Sequence, residues 1–360
     1  MIHLDGSYLE GGGQIIRTAL ALSSLTKDAF SVENIRKGRK QPGLKNQHLY
    51  AIRTLKQQCD AQVEHAELGS SQLSYIPRAI KGGSINVDIQ TAGSITLVLQ
   101  AILMPLIFAN KSSTITLTGG TDTKWSMPVD YFREVLAPQL KKYCSSLQVS
   151  IVRRGYYPKG NGNVVVKVKP KYKLKDFESF RSFNEKVSAE VRHIDLTEQG
   201  ELVQIKGISH ASADLQQRQV AERQAEHARV LLKKLNVPVN IQVEYNQTSS
   251  TGSGITLWAI FAKNSEIDMN NPVILGSDGL GEPGKPSEKV GEEAAKRIIE
   301  EIESKTPVDR HLADQLVPWL IFGGRLRAEN ITMHCKTNIW VVNQFFKDKI
   351  ELKDNLIFSH

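Results

Sequence analysis

Four places in the chain gather residue types that can act on a ligand. The first is "LEGGGQIIR", Leu9 to Arg17. Three glycines ahead of a helical run leave N–H groups free at the positive end of a helix and let a ligand approach closely. Glu10 stands beside that mouth, and Gln14 and Arg17, three residues apart, share one helix face. A carboxylate and a guanidinium so placed suit a metal ion and a phosphate. A capped helix with a surface ion pair accounts for them equally well, and the stretch matches neither a P-loop nor a dinucleotide fingerprint. The second is Gln100 in "ITLVLQAILM". An unpartnered buried amide costs about 1–3 kcal/mol, so backbone, a neighbour or a ligand must meet it. The third is "HLADQLVPWL", where Asp314 is hard to bury without a cation or donor. Gln315 lies one turn beyond His311, which itself reads as a capping or exposed residue.

The fourth is His334 in "ITMHCKTNIWVV". Its apolar content reads as a strand ending at His-Cys-Lys-Thr-Asn. Zinc needs three or four ligands at workable spacing, and the chain has no CxxC or HxxxH. A His334–Cys335 dyad fails because adjacent strand residues point to opposite faces. Two readings stay open: a packed core histidine, which the residues alone favour, and a neutral imidazole nucleophile facing a cleft where a strand meets a helix.

The elements that must position these residues recur. "IHLD", "GGGQIIRTALALSSL" and "FSVENI" read as strand, helix, strand, and "INVDI", "AGSITLVLQAILMPLIF" and "STITLTG" repeat the pattern about eighty residues later. Each continues with a second helix, "GLKNQHLYAIRTLKQQ" or "PVDYFREVLAPQLKKY", and further strands. A third unit returns with the helices "GKPSEKVGEEAAKRIIEEIES" and "HLADQLVPWLIFGG" and the strand "ENITMH". Self-similarity at this period implies internal duplication. Between the second and third units, strands flank the charged helix "DLQQRQVAERQAEHARVLLKKL", as in an inserted α/β domain. Alternation of this kind favours an α/β, α+β-layered architecture.

A length of 360 residues allows two domains or one with an insertion, and 40% hydrophobic with 23% charged content suits a soluble globular protein. The longest apolar run, Leu97 to Ala109, is too short and too interrupted for a membrane span. "MIHLDGSYLEGGG" has no basic segment followed by an apolar one, so no export signal is expected. Cys59, Cys144 and Cys335 are too few and scattered for a disulfide framework, which points to a reducing cytoplasm. Lys and Arg exceed Asp and Glu, 46 to 38, giving a net charge of +8. The excess concentrates in two loop-like runs, "IRKGRKQPGLKNQH" and "VRRGYYPKGNG". Loops of that composition can meet phosphates or merely be solvated.

Seven runs, in order and spread over nearly the whole chain, resemble RNA 3′-terminal phosphate cyclases: "LDGSYLEGGGQIIRTALALS", "IRKGRKQPGLKNQHL", "AGSITLVLQ", "GGTDTKWSMPVDYF", "RRGYYPKGNG", "HLADQLVP" and "HCKTNI". The resemblance implies a large domain, residues 1–184 and 275–360, of three repeated βαβα-type units. Each unit would resemble the C-terminal domain of bacterial translation initiation factor 3, and residues 185–274 would form a small inserted α/β domain. It implies a ligase of RNA processing that converts an RNA 3′-phosphate to a 2′,3′-cyclic phosphate with ATP and a divalent metal, Mg²⁺ or Mn²⁺. In the family's scheme a histidine takes AMP from ATP, passes it to the RNA 3′-phosphate, and the neighbouring 2′-hydroxyl displaces it.

By that resemblance the nucleophile is the histidine of H-x-x-T-N, here His334, with Thr337 and Asn338 as orienting neighbours. Glu10 matches a metal-binding carboxylate, and Arg17 and Arg39 match arginines near the phosphates. Gln47 and His48 match a polar pair at the site. Gln100, Asp314 and Gln315 match nucleotide contacts, Pro128 a proline near the adenine, and His311 stands where relatives carry tyrosine. The implied partner is an RNA with a 3′-phosphate end, in the cytoplasm and away from membranes, with a homodimer left open. One rival is a non-catalytic cyclase-like protein of ribosome assembly, which would lack the nucleophile that His334 supplies. An enolpyruvyl transferase would need a phosphoenolpyruvate-binding constellation that is not found in order. A plain RNA-binding module would leave Gln100 and Asp314 unexplained.

Overall fold

The computed structural model describes residues 1–360 as a mixed α/β protein with four four-stranded sheets. The first sheet starts with β1 (Ile2–Asp5), crosses through α1 (Gln14–Thr26) to the parallel β2 (Phe30–Glu33), and continues through α2 (Asn46–Gln58) to β3 (Gln62–Glu64) and β4 (Leu73–Ile76). Its strand order is β1-β2-β4-β3. The same wiring recurs in the second: β5 (Ser84–Asp88), α3 (Ile95–Ile107), β6 (Ser113–Gly119), then α4 (Val129–Tyr131) running through a π-helical turn over Phe132–Leu136 into α5 (Ala137–Leu140), then β7 (Cys144–Arg153) and β8 (Gly162–Pro170). Its order is β5-β6-β8-β7.

After α6 (Phe180–Glu190) comes β9 (Ile194–Leu196), and then a separate sheet. That sheet is built from β10 (Glu201–Ser212), α7 (Val220–Leu232), β11 (Val239–Asn246), β12 (Ser253–Ala262), β13 (Ile274–Leu280) and α8 (Ser287–Glu303), in the order β11-β10-β12-β13. The chain then returns through α9 (Arg310–Leu316), β14 (Gly324–Arg327), α10 (Met333–Phe345), β15 (Ile350–Lys353) and β16 (Leu356–Ser359). β14 pairs in parallel with β9, so the last sheet, β15-β16-β14-β9, has the wiring of the first two.

The structure differs from the sequence reading in four respects. The boundary at 185 falls inside α6, and β9, expected within the insert, pairs with β14 of the returning chain. The boundary at 274 is the first residue of β13, which pairs with β12. α8, expected in the third unit, packs on α7: a Cβ at Gly291 would stand 2.0 Å from the Gln224 carbonyl oxygen, so only glycine permits this approach. "ENITMH" is no strand; Met333 opens α10.

α1 is buried along nearly its whole length, so its polar residues Gln14, Arg17 and Thr18 must find partners among the elements around it. No helix is long and apolar enough to cross a membrane, and the three cysteines are free and buried.

Arg154 ties the second sheet to the inserted one. Its Nη1 lies 2.7 Å from Asp130 and 3.6 Å from Asp122, and its Nη2 lies 3.1 Å from Glu244 of β11. His210 of β10 closes the group, 3.1 Å from Asp122 and 2.7 Å from the Tyr156 hydroxyl. Arg154→Met keeps most of the side chain's bulk but leaves buried Asp122 without its guanidinium and Asp130 with Arg133 alone, 2.9 Å away. A loss of about 3–5 kcal/mol is expected, read as a lowered urea midpoint. An unchanged midpoint would show that the network contributes no net stability.

Candidate functional site

His334 sits in the first turn of α10, and that turn is fixed from below. Thr332 caps the helix by accepting from the Cys335 N–H at 2.9 Å, and its hydroxyl donates to Asp314 Oδ1 at 2.6 Å. Asn338, one turn beyond His334, donates to the Asp314 carbonyl at 2.8 Å and accepts from the Thr18 hydroxyl at 2.7 Å. These bonds lock α10 to α9 and α1, so the position of His334 is set by the backbone beneath it. Thr337 turns away, its hydroxyl donating to the Met333 carbonyl one turn back.

Around the imidazole, the Gln14 amide donates to the His334 carbonyl, and Nδ1 lies 3.1 Å from Glu10 Oε2, off the angle of a hydrogen bond. The other oxygen of Glu10 takes the Arg39 guanidinium. A Cβ on Gly12 would stand 3.7 Å from His334 Cε1 and 3.5 Å from Arg39 Nη2, so the glycine leaves open space where ring and guanidinium converge. Burial, followed by the Arg17 and Arg39 charges, outweighs Glu10 and holds the imidazole below its ordinary pKa. This shift favours the neutral ring, the state a nucleophile needs.

Arg17 donates through Nε to Gln100 Oε1 at 2.7 Å. Each is the partner that the other's apolar helix lacked. No carboxylate pairs with this guanidinium; burial and the Arg36 charge lower its pKa to about 10. Burial and then neighbouring cations also lower Arg36 and Lys45. His48 follows, buried, depressed by burial and then by Arg17. An anion bound among these cations would offset both their burial and their mutual repulsion.

Gln14, Arg17, Gln100, His311, Asp314, Gln315 and His334 line one cavity of about 630 Å³. That size lies within the usual range for small-molecule sites. Glu10 and Arg39 reach His334 from outside its lining. His48 lies behind Gly13, where an added Cβ would be 2.0 Å from its Nε2, an atom with no partner. A Cβ on Gly93 would stand 3.9 Å from Gln47 Oε1, which places Gln47 near the start of α3. Pro128 is buried at the start of α4 and does not line the cavity; its neighbour Met127 does. His311 is exposed, edge-on to Tyr131, while Asp309 caps α9. Burial raises Asp314 to about 7 against the pull of the Thr332 bond.

Sequence reasoning passed over Thr18, Thr332 and Trp125. A threonine three residues before Cys335 is a helix-start signal that the strand reading concealed.

Glu10 is the carboxylate in contact with His334. Mg²⁺ ordinarily takes one or two carboxylates and completes its shell with phosphates and water, so this donor set fits a metal only together with a bound nucleotide. A second group, Asp122, Asp130 and His210, also has closely spaced ligand atoms. The Arg154 guanidinium already occupies the cation's place there.

Comparison with known proteins adds an independent finding. The family described as RNA 3′-terminal phosphate cyclase matches residues 8–352. The cyclase of Pyrococcus furiosus is 44% identical over 98% of this chain and 95% of its own length. Those of Methanosarcina mazei (41%; 98% and 97%) and Archaeoglobus fulgidus (39%; 99% and 99%) are similar to a like extent.

Proposed function

The chain belongs to the RNA 3′-terminal phosphate cyclase family, and on that premise we propose that His334 carries AMP from ATP to an RNA 3′-phosphate, which then closes to a 2′,3′-cyclic phosphate. The observation that carries the reading is the convergence of a neutral imidazole, the Glu10 carboxylate and the Arg39 guanidinium beside the uncompensated charge of Arg17.

With the proton on Nδ1, the ring nitrogen beside Glu10, the lone pair sits on Nε2, free to attack. Nε2 forms a bond to the α-phosphorus of ATP as the bond to pyrophosphate breaks. Arg17 and Arg39 meet the charge gathering on the phosphate oxygens, and Gln100 holds Arg17 in place. An oxygen of the RNA 3′-phosphate then displaces His334 from the adenylyl phosphorus. This converts a phosphomonoester, which has no good leaving group, into one whose leaving group is AMP. The vicinal 2′-hydroxyl attacks intramolecularly, with the advantage of proximity. A divalent cation bound by Glu10 and the phosphates would neutralise further charge on those oxygens. Gln315, Asp314, His311 and Gln100 form the polar wall for the nucleotide, with Pro128, Gln47 and His48 behind it.

An oligoribonucleotide with a 3′-phosphate tests this. With ATP and Mg²⁺ its end should become resistant to phosphatase as AMP and pyrophosphate appear. The same oligomer with a 2′-deoxy terminal sugar should stop at the adenylylated 3′-phosphate. An end that stays phosphatase-sensitive while ATP is not consumed would instead favour a non-catalytic relative.

A further inference from the structure

Trp125 has no place in the scheme above, yet it lines the same cavity as His334. It is 93% exposed, the most exposed large hydrophobic residue of the chain. The other tryptophans are covered: Trp258 and Trp319 are buried, and Trp340 stacks on Tyr8 at 4.2 Å. The backbone of Trp125 has φ +68°, a left-handed conformation that bulky side chains rarely adopt.

Its turn is pinned on both sides. The Thr123 and Ser126 hydroxyls lie 2.7 Å apart, and the Ser126 hydroxyl donates to the Thr123 carbonyl at 3.2 Å. Lys124 reaches across to Glu282, beyond β13, at 3.0 Å. The surroundings thus hold an indole outward, against both backbone preference and the hydrophobic effect, at the open edge of the cleft. Residues kept in such conformations cluster at ligand sites.

We propose that Trp125 is the platform on which the terminal base of the RNA substrate stacks, setting the 3′-phosphate at the cleft. The inference rests on the family's RNA substrate. Two nucleobases enter the reaction, and the exposure of Trp125 distinguishes them. A mononucleotide drawn into the cavity meets the walls around Gln100 and Gln315, whereas a ring almost wholly in solvent suits a base whose chain continues outward. Stacking uses the π-face common to all bases, so little preference for the terminal base is expected.

The test uses Trp125→Ala and Trp125→Phe. Affinity for a labelled 3′-phosphorylated oligoribonucleotide is measured by anisotropy without ATP, and protein adenylylation is measured with ATP and no RNA. Trp125→Ala should weaken RNA binding roughly 5- to 100-fold, the usual range for losing one stacked base, and Trp125→Phe should recover most of it. Adenylylation should be retained in both. RNA affinity unchanged in Trp125→Ala overturns the proposal. So does a loss of adenylylation without RNA, which would put the indole under the adenine of ATP. If the wild-type chain forms no adenylate, the reaction scheme fails, while the RNA comparison still decides the role of Trp125.

Discussion

Replacing His334 with alanine should abolish transfer of label from α-labelled ATP to the protein, a fall on the order of 10⁴-fold or more, as expected when a covalent nucleophile is removed. The wild-type label should be labile to acid and stable to alkali, the behaviour of a phosphorus–nitrogen bond. The variant isolates chemistry from folding because the side chain is almost half exposed and the Glu10 beside it keeps its bond to Arg39. The start of α10 is set by Thr332, Asp314 and Asn338, and the bond from Gln14 goes to the His334 carbonyl, which alanine retains. Urea midpoints of variant and wild type should therefore coincide. Label on both proteins alike would move the nucleophile elsewhere, with His311, which lines the same cavity, the next histidine to replace.

What could be read in the sequence was need; what could not was partnership. Gln100 stands out because it interrupts an apolar helix, where burial demands a partner, and Arg17 because it shares a helix face with Gln14 behind the glycines and Glu10. That each serves the other, from helices 83 positions apart, is a fact of packing that no local pattern carries. Asp314 was flagged for the same reason, and its partner is the hydroxyl capping the helix that bears His334. The element that carries His334 differs from its sequence reading, because "ITMHC" has strand composition and the cap on Thr332 is the helix signal within it. β9 went to the wrong sheet for a related reason. A strand of three residues takes its place from its partner, and β14 lies beyond the whole inserted sheet. Nothing in the sequence around Trp125 sets it apart; its exposure and its backbone angle do.

Arg17→Met should separate function from stability most sharply. Protein adenylylation should fall about 10²–10³-fold, the usual cost of losing one preorganised group that meets transition-state charge. Stability should hold or rise. Burial and the charge of Arg36 lower the Arg17 pKa to about 10, and no carboxylate offsets them. The sign follows from that depression: a base whose pKa is lower folded than unfolded costs stability wherever it is charged in the fold, here everywhere below about pH 10. Methionine removes that cost and nearly keeps the volume. Against it stands the bond to Gln100, whose loss costs about 1–3 kcal/mol if the amide finds no other partner. Arg17→Lys should restore little activity, because a lysine lacks the planar fork that engages a phosphate and the Gln100 amide together. The measurements are label transfer from ATP and urea midpoints of the three proteins. Activity and midpoint falling together in Arg17→Met would make Arg17 a structural residue, and full activity in that variant would remove it from the phosphate site. A large loss of activity at an undiminished midpoint is the signature of a charge kept buried for its ligand.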